Sequence, residues 1–210
     1  MKQYSYRKDD GVFDYERYLE VQITGNKRKL GSQWVHEHTL KFLSEYILSK
    51  IKPRFGICHG TRRGLEQLAF RKFLNCEVIG TEISDTATQF LYTIQWDFHD
   101  VKSEWIGAVD FIYSNSWDHS YDPDRMFRAW MSCLTHGGLL ILEHSDAQED
   151  ISELDPLGMS LTELCDFIEQ LSGPSGECVV IDLLKGPPRK RGIDTRPMNV
   201  VFQRRVSTQI

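Results

Sequence analysis

The chain has 210 residues, with 25 Lys and Arg against 30 Asp and Glu, for a net charge of −5. Its 40% hydrophobic and 26% charged content is that of an ordinary globular chain and excludes a fibre or a disordered polymer. The acidic balance weighs against broad binding to nucleic-acid phosphates, and no apolar run approaches the ~20 residues that span a bilayer.

The opening segment Met1–Tyr6 has no apolar stretch of the kind a secretory signal needs. Cys58, Cys76, Cys133, Cys165 and Cys178 are odd in number, widely spaced and free of any Cys-x-x-Cys pair. Free thiols in a reducing, cytoplasmic setting are the expectation.

Residues 1–33 are polar and rich in tyrosine (Tyr4, Tyr6, Tyr15, Tyr18) and read as an N-terminal extension ahead of a domain over 34–210. The spacing of Val35, Thr39, Phe42, Leu43, Tyr46 and Ile47 predicts a helix up to Ile51, capped by Ser32 and ended by Pro53. From there strands and helices alternate. Strands are predicted at Phe55–His59, Cys76–Ile83, Tyr92–Trp96, Ala108–Tyr113, Leu139–Leu142, Cys178–Leu184 and Asn199–Arg204. Helices are predicted at Gly64–Leu74, Pro123–Leu134 and Leu161–Leu171, the last opened by Ser160 or Thr162. Such alternation predicts an α/β domain with a mainly parallel sheet. Residues 185–198 hold no crossover helix, so the last two strands should form an antiparallel hairpin.

Ligands of open α/β sheets bind outside the carboxyl ends of the strands, where the strand order reverses. His59-Gly60-Thr61-Arg62, with Gly64, lies on such a strand-to-helix turn, and Gly60 would let the backbone approach a ligand. Glu82 ends the next strand, 22 residues on, a spacing suited to hydrogen bonds with ribose hydroxyls. In Trp96-Asp97-Phe98-His99-Asp100 an aspartate could accept from an adenine amino group while an aromatic ring packs on the base.

The longest ordered set runs from Asp110 through Ser114-Asn115, Asp118-His119 and Asp122-Pro123 to Gly137-Gly138 and Leu139–His144. This stretch resembles the class I S-adenosylmethionine-dependent methyltransferases, in particular the branch called methyltransferase domain type 11. The resemblance covers roughly residues 50–205. It implies a Rossmann-like open sheet of about seven strands, mostly parallel with an antiparallel last strand, and helices on both faces. It also implies that the cofactor is S-adenosylmethionine. The Gly60 loop would hold its methionine part, Glu82 the ribose, and Asp97 with Phe98 the adenine. Ser114 and Asn115 would lie beside the sulfonium.

The sequence departs from the family's glycine-rich motif. Gly56 stands at its acidic place, and Cys58 and Arg62 replace the first and third glycines. Arg62 or Arg63 could pair with the cofactor carboxylate instead.

A hydroxyl or carbon acceptor needs a base, and histidine has a suitable pKa. His144, following the fifth main strand, is the preferred candidate, and His119, following the fourth, the second. No metal is expected. His36 and His38 are two apart on the predicted helix, and Asp118-His119 and Glu143-His144 are isolated adjacent pairs. The basic segments Asn26–Lys29 and Lys185–Arg196 favour a small anionic substrate, the first serving with the tyrosines as a lid. Three readings stand beside the small-molecule methyltransferase: a non-catalytic cofactor-binding partner protein, a nicotinamide-dependent oxidoreductase, and a methyltransferase acting on RNA or protein. The last two are disfavoured, by the missing Gly-x-Gly-x-x-Gly spacing and by the acidic charge.

Overall fold

The computed structural model describes residues 1–173, 177–188 and 197–205. The elements are β1 (Lys2–Gln3), α1 (Tyr15–Arg28), α2 (Glu37–Lys50), β2 (Phe55–His59), α3 (Leu65–Leu74), β3 (Glu77–Glu82), β4 (Thr93–Gln95), β5 (Val109–Ser114), α4 (Pro123–Cys133), β6 (Leu134–His144), β7 (Leu157–Gly158), α5 (Leu161–Leu171), β8 (Cys178–Lys185) and β9 (Met198–Arg204).

Seven strands form one sheet in the order β4-β3-β2-β5-β6-β9-β8. β4 through β6 run parallel, while β9 is antiparallel to both β6 and β8. The expected hairpin is therefore present, although residues 189–196 of its basic connection lie outside the described residues. The sequence pattern explains the layers. On one face Cys58, Phe111, Tyr113, Leu139, Ile141 and Val201 pack against α2 and α3. On the other, Ile57, Ile112, Leu140, Leu142, Val200 and Phe202 pack against α4 and α5. Strictly alternating apolar residues, both sets buried, are what a sheet covered on both sides requires.

The helices start where local chemistry directs. Asp122 caps α4 through the Arg125 amide, with Pro123 in the first turn. Ser160 and Glu163 form a reciprocal capping box on α5. Ser32 does not cap α2; that helix begins at Glu37, with His36 as its N-cap and no side-chain cap. Gly56, at the acidic place of the family motif, lies under the Phe111 ring, which would be 2.2 Å from a Cβ there. Asp110 joins β5 to the start of β2 by accepting from the Arg54 and Phe55 amides at 2.7 and 3.1 Å.

The N-terminal segment lies against the sheet's carboxyl edge. β1 pairs with β7, and α1 is fastened by Tyr15 to Asp97, Arg17 to Glu153 and Lys27 to Asp85. All five cysteines are free. Among the described residues, no helix is long and apolar enough to cross a membrane.

Candidate functional site

The strand order reverses between β2 and β5, and a cleft opens there beyond the carboxyl ends of β2 and β3. It has two lobes that share Lys29, Gly60, Arg62, Ser116 and His119. The inner lobe is narrow, about 60 Å³, with Tyr18, Glu82, Ile83, Trp96 and Phe98 on its walls. The outer lobe is wider, about 580 Å³, and is lined by Trp34, Thr61, Arg63, Glu66, Asn115, Asp118, Gln148 and Asp155 among others.

The loop after β2 is shaped by its backbone. Gly60 has φ +73, and a Cβ there would lie 2.6 Å from the Ser116 Cβ, so only glycine fits. The Gly60 and Thr61 amides both donate to the Thr81 carbonyl. Arg62, which stands at the place of the motif's third glycine, has left-handed backbone, with φ +45, a conformation costly for a side-chain-bearing residue. Its guanidinium reaches back to the carbonyls of Lys29 and Ser32 at 3.4 and 3.1 Å and ties the loop to the end of α1.

Glu82 is 6% exposed. One carboxylate oxygen accepts from the Arg62 amide and the other from the Ser84 amide, each at 3.0 Å. Burial raises its pKa, and the two amides oppose that shift. A carboxylate offers about four lone-pair directions, so both oxygens retain capacity toward the inner lobe.

Of the candidate binding and catalytic residues, Gly60, Arg62, Glu82, Phe98 and His119 line the inner lobe, with Thr61, Arg63 and Asn115 in the outer. The others lie behind its walls. His59 is stacked on Trp130 with ring centroids 4.6 Å apart and bonded through Nδ1 to Thr81 Oγ1; burial pulls its pKa down to about 3. Gly64 precedes α3 as its left-handed N-cap. Ser114 donates to the His59 carbonyl. Asp97 accepts from the Tyr15 hydroxyl at 2.8 Å and from the His99 amide at 3.0 Å, and bonds to His99 Nδ1 at 2.6 Å, so its carboxylate anchors α1. His144 is buried beneath Trp117, with Nε2 at 2.9 Å from the Met159 carbonyl.

Residues that spacing did not point to complete the walls. Gln22 comes from α1, Trp34 from the connection before α2, and Glu66 from the first turn of α3. Burial pushes the Glu66 carboxyl up to about 8, so it is protonated near neutrality. The native state therefore binds this proton more tightly than the unfolded chain does. The stability it contributes is fully present below pH ~4.5 and is lost as pH rises toward about 8, with a slope of at most ~1.4 kcal/mol per unit. Glu66→Gln is expected to remove that decline in a pH series of thermal melts. An unchanged slope between pH 5 and 8 would place the proton elsewhere.

No protein-family model and no curated protein sequence matches the chain. Solved structures do. The 1,6-didemethyltoxoflavin-N1-methyltransferase of Burkholderia thailandensis, bound to 1,6-didemethyltoxoflavin and S-adenosylhomocysteine, is similar at TM-score 0.68 and 12% identity, over 95% of this chain and 94% of that one. The plantazolicin methyltransferase BpumL, in complex with SAH, is similar at TM-score 0.65 and 13% identity, over 91% and 95%. The cyclase SpnF is similar at 0.62 and 10%, over 98% and 99%, so the shared architecture does not by itself dictate the reaction. With its strand order, its antiparallel β9 and its helices on both faces, the chain has the class I S-adenosylmethionine-dependent methyltransferase fold.

Proposed function

We propose that this protein transfers a methyl group from S-adenosylmethionine to a small anionic metabolite. The observation that carries the proposal is Glu82: a buried carboxylate fixed by two backbone amides at the inner lobe, with lone pairs left for ribose hydroxyls. The donor set fits the cofactor. Ile83, Trp96 and Phe98 give the same lobe apolar and aromatic walls suited to a purine, and the Gly60 loop stands between the lobes. Bound there, the cofactor supplies an electrophilic methyl group for in-line displacement.

The chain's own residues orient and enclose. Glu82 accepts from the ribose, while Tyr18, Gln22 and Asn26 of α1 wall the lobe against water. Residues 1–33 thus act as the lid. Lys29, Arg62 and Arg63 bring positive charge to the outer lobe, which favours an anionic acceptor. His119 borders both lobes and stands at the acceptor's end. His144, closed off by Trp117 and Met159, packs the wall behind it.

Thermal melts with S-adenosylmethionine, S-adenosylhomocysteine and NAD test the reading. A ligand at 100 times its Kd stabilises by about 2.7 kcal/mol, a rise of roughly 5–10 °C for a chain of this size. A rise with the two sulfur compounds alone is expected. A rise with NAD alone, or with none of the three, overturns the proposal.

A further inference from the structure

Asp118 and His119 follow β5 and Asp155 precedes β7, yet the fold brings them together on the outer lobe. One donor atom from each lies within 4.8 Å of the other two, and His119 Nε2 is 3.4 Å from Asp155 Oδ1. Asp118 is 7% exposed, and its Oδ1 is buried with no hydrogen-bond partner. Such an acceptor is costly unless something positive completes it.

Two of the three side chains, His119 and Asp155, are held so that one donor atom stays free. The Gln22 amide donates to the Leu154 carbonyl at 2.8 Å, which turns its Oε1 to His119 Nδ1, also at 2.8 Å. Nδ1 therefore carries a proton, and Nε2 is left toward Asp155 Oδ1. Asp155 Oδ2 accepts from the Ser152 hydroxyl at 3.1 Å, leaving Oδ1 toward Nε2. The Gln148 amide donates to the Asn115 carbonyl at 3.3 Å, so it does not satisfy Asp118 Oδ1.

A bare imidazole nitrogen facing a carboxylate oxygen needs positive charge between them. A proton on Nε2 would serve Asp155 and leave Asp118 Oδ1 unmatched. Arg62, from the loop, turns its Nη1 to the Lys29 and Ser32 carbonyls. A dication answers all three atoms. Ligands about 2.1 Å from a common ion at near-tetrahedral angles lie roughly 3.4 Å apart, which matches the His119–Asp155 separation.

We propose that Asp118, His119 and Asp155 form a binding site for a divalent first-row transition ion, of the Mn²⁺ or Zn²⁺ kind, open to the outer lobe. The imidazole favours these ions over Mg²⁺ or Ca²⁺, and the two carboxylates accommodate Mn²⁺ as well as Zn²⁺. The open positions take oxygen donors of the acceptor; only this last point rests on the reading of the outer lobe as the acceptor's. The two carboxylates leave the site neutral when the ion is bound, and the acceptor's negative charge then adds to the binding.

The test is a titration of the metal-free full chain with MnCl₂, free ion followed by electron paramagnetic resonance, with ZnCl₂ as competitor. Saturable binding of one Mn²⁺ per chain, displaced by Zn²⁺, is expected. It should weaken roughly tenfold or more in Asp118→Asn and in Asp155→Asn, which keep the side-chain shape. No saturable binding to the native chain at millimolar ion, or unchanged affinity in both variants, overturns the site. Thermal shifts with S-adenosylhomocysteine on the same samples are read separately. Loss of that shift with Mn²⁺ binding intact counts against the methyltransferase reading and leaves the cation site standing.

Discussion

Replacing Trp130 by alanine is expected to lower stability by about 3–5 kcal/mol and the melting midpoint by roughly 6–20 °C. Trp130 is 1% exposed and sits where α4 meets the sheet. Its ring stacks on His59 at 4.6 Å and meets Phe98 and Phe127 edge-on at 5.5 and 5.6 Å. Its indole N–H donates to the Phe98 carbonyl at 2.8 Å. The alanine variant opens a cavity and leaves that carbonyl without its donor.

It also exposes His59, whose neutral form burial now enforces. A folded pKa of about 3 lies below the unfolded value of ~6.5. His59 therefore contributes stability that is present above pH ~6.5 and lost as pH falls toward 3. With Trp130 gone, that acid-side loss should shrink. Thermal unfolding at pH 7 and pH 5 reads both effects. A midpoint within about 3 °C of the native protein at pH 7 would show that the site collapses around the smaller side chain. Trp130→Phe keeps a ring on His59 and loses the hydrogen bond, so its loss should be a fraction of the alanine variant's. Because Phe98 borders the inner lobe, the same packing that stabilises the core also shapes the cofactor end of the cleft.

The main sheet is legible in the sequence because its strands are buried on both faces. Phe55–His59 and Leu161–Leu171 coincide with β2 and α5, and the terminal hairpin follows from the absence of a crossover segment. Helix α1 escaped because its buried positions are Tyr18, Gln22, Gly25 and Asn26. A face that lines a polar cleft has no apolar period to detect. β1 and β7, two residues each, exist only as each other's partners.

The site divides along a similar line. Glu82 is legible because strand ends and loop spacing fix where its backbone goes. The orientation of a side chain is not fixed that way. Asp97 stands on the expected loop, but Tyr15 and His99 claim its carboxylate. His144 follows the expected strand and ends β6, but on the side sealed by Trp117. The partnership of His119 with Asp155, 36 residues apart, depends on the path of the chain between β6 and β7, which carries no motif.

Glu82→Ala is expected to weaken S-adenosylhomocysteine binding by roughly 2–4 kcal/mol, the scale of one or two hydrogen bonds to a charged group; that is a 30- to 1,000-fold rise in Kd. The fold should survive. The lost carboxylate is one whose burial already raises its pKa, so its removal relieves a desolvation cost. The Arg62 and Ser84 amides it satisfied open onto a cleft that water can enter. Isothermal titration gives the affinity and a melt without ligand checks the fold.

A deoxyribose analogue of the ligand distinguishes a direct contact from a rearranged loop. If Glu82 accepts from the ribose hydroxyls, the native protein loses affinity for the analogue and the alanine variant loses little more, so the two changes are not additive. If instead the loop has merely slackened, the two losses add. Unchanged affinity for S-adenosylhomocysteine in Glu82→Ala, with a native-like melt, removes Glu82 from the cofactor site. The methyltransferase reading would then lose the observation on which it rests, since neither Asp97 nor His59 turns its side chain to the cleft to take Glu82's place.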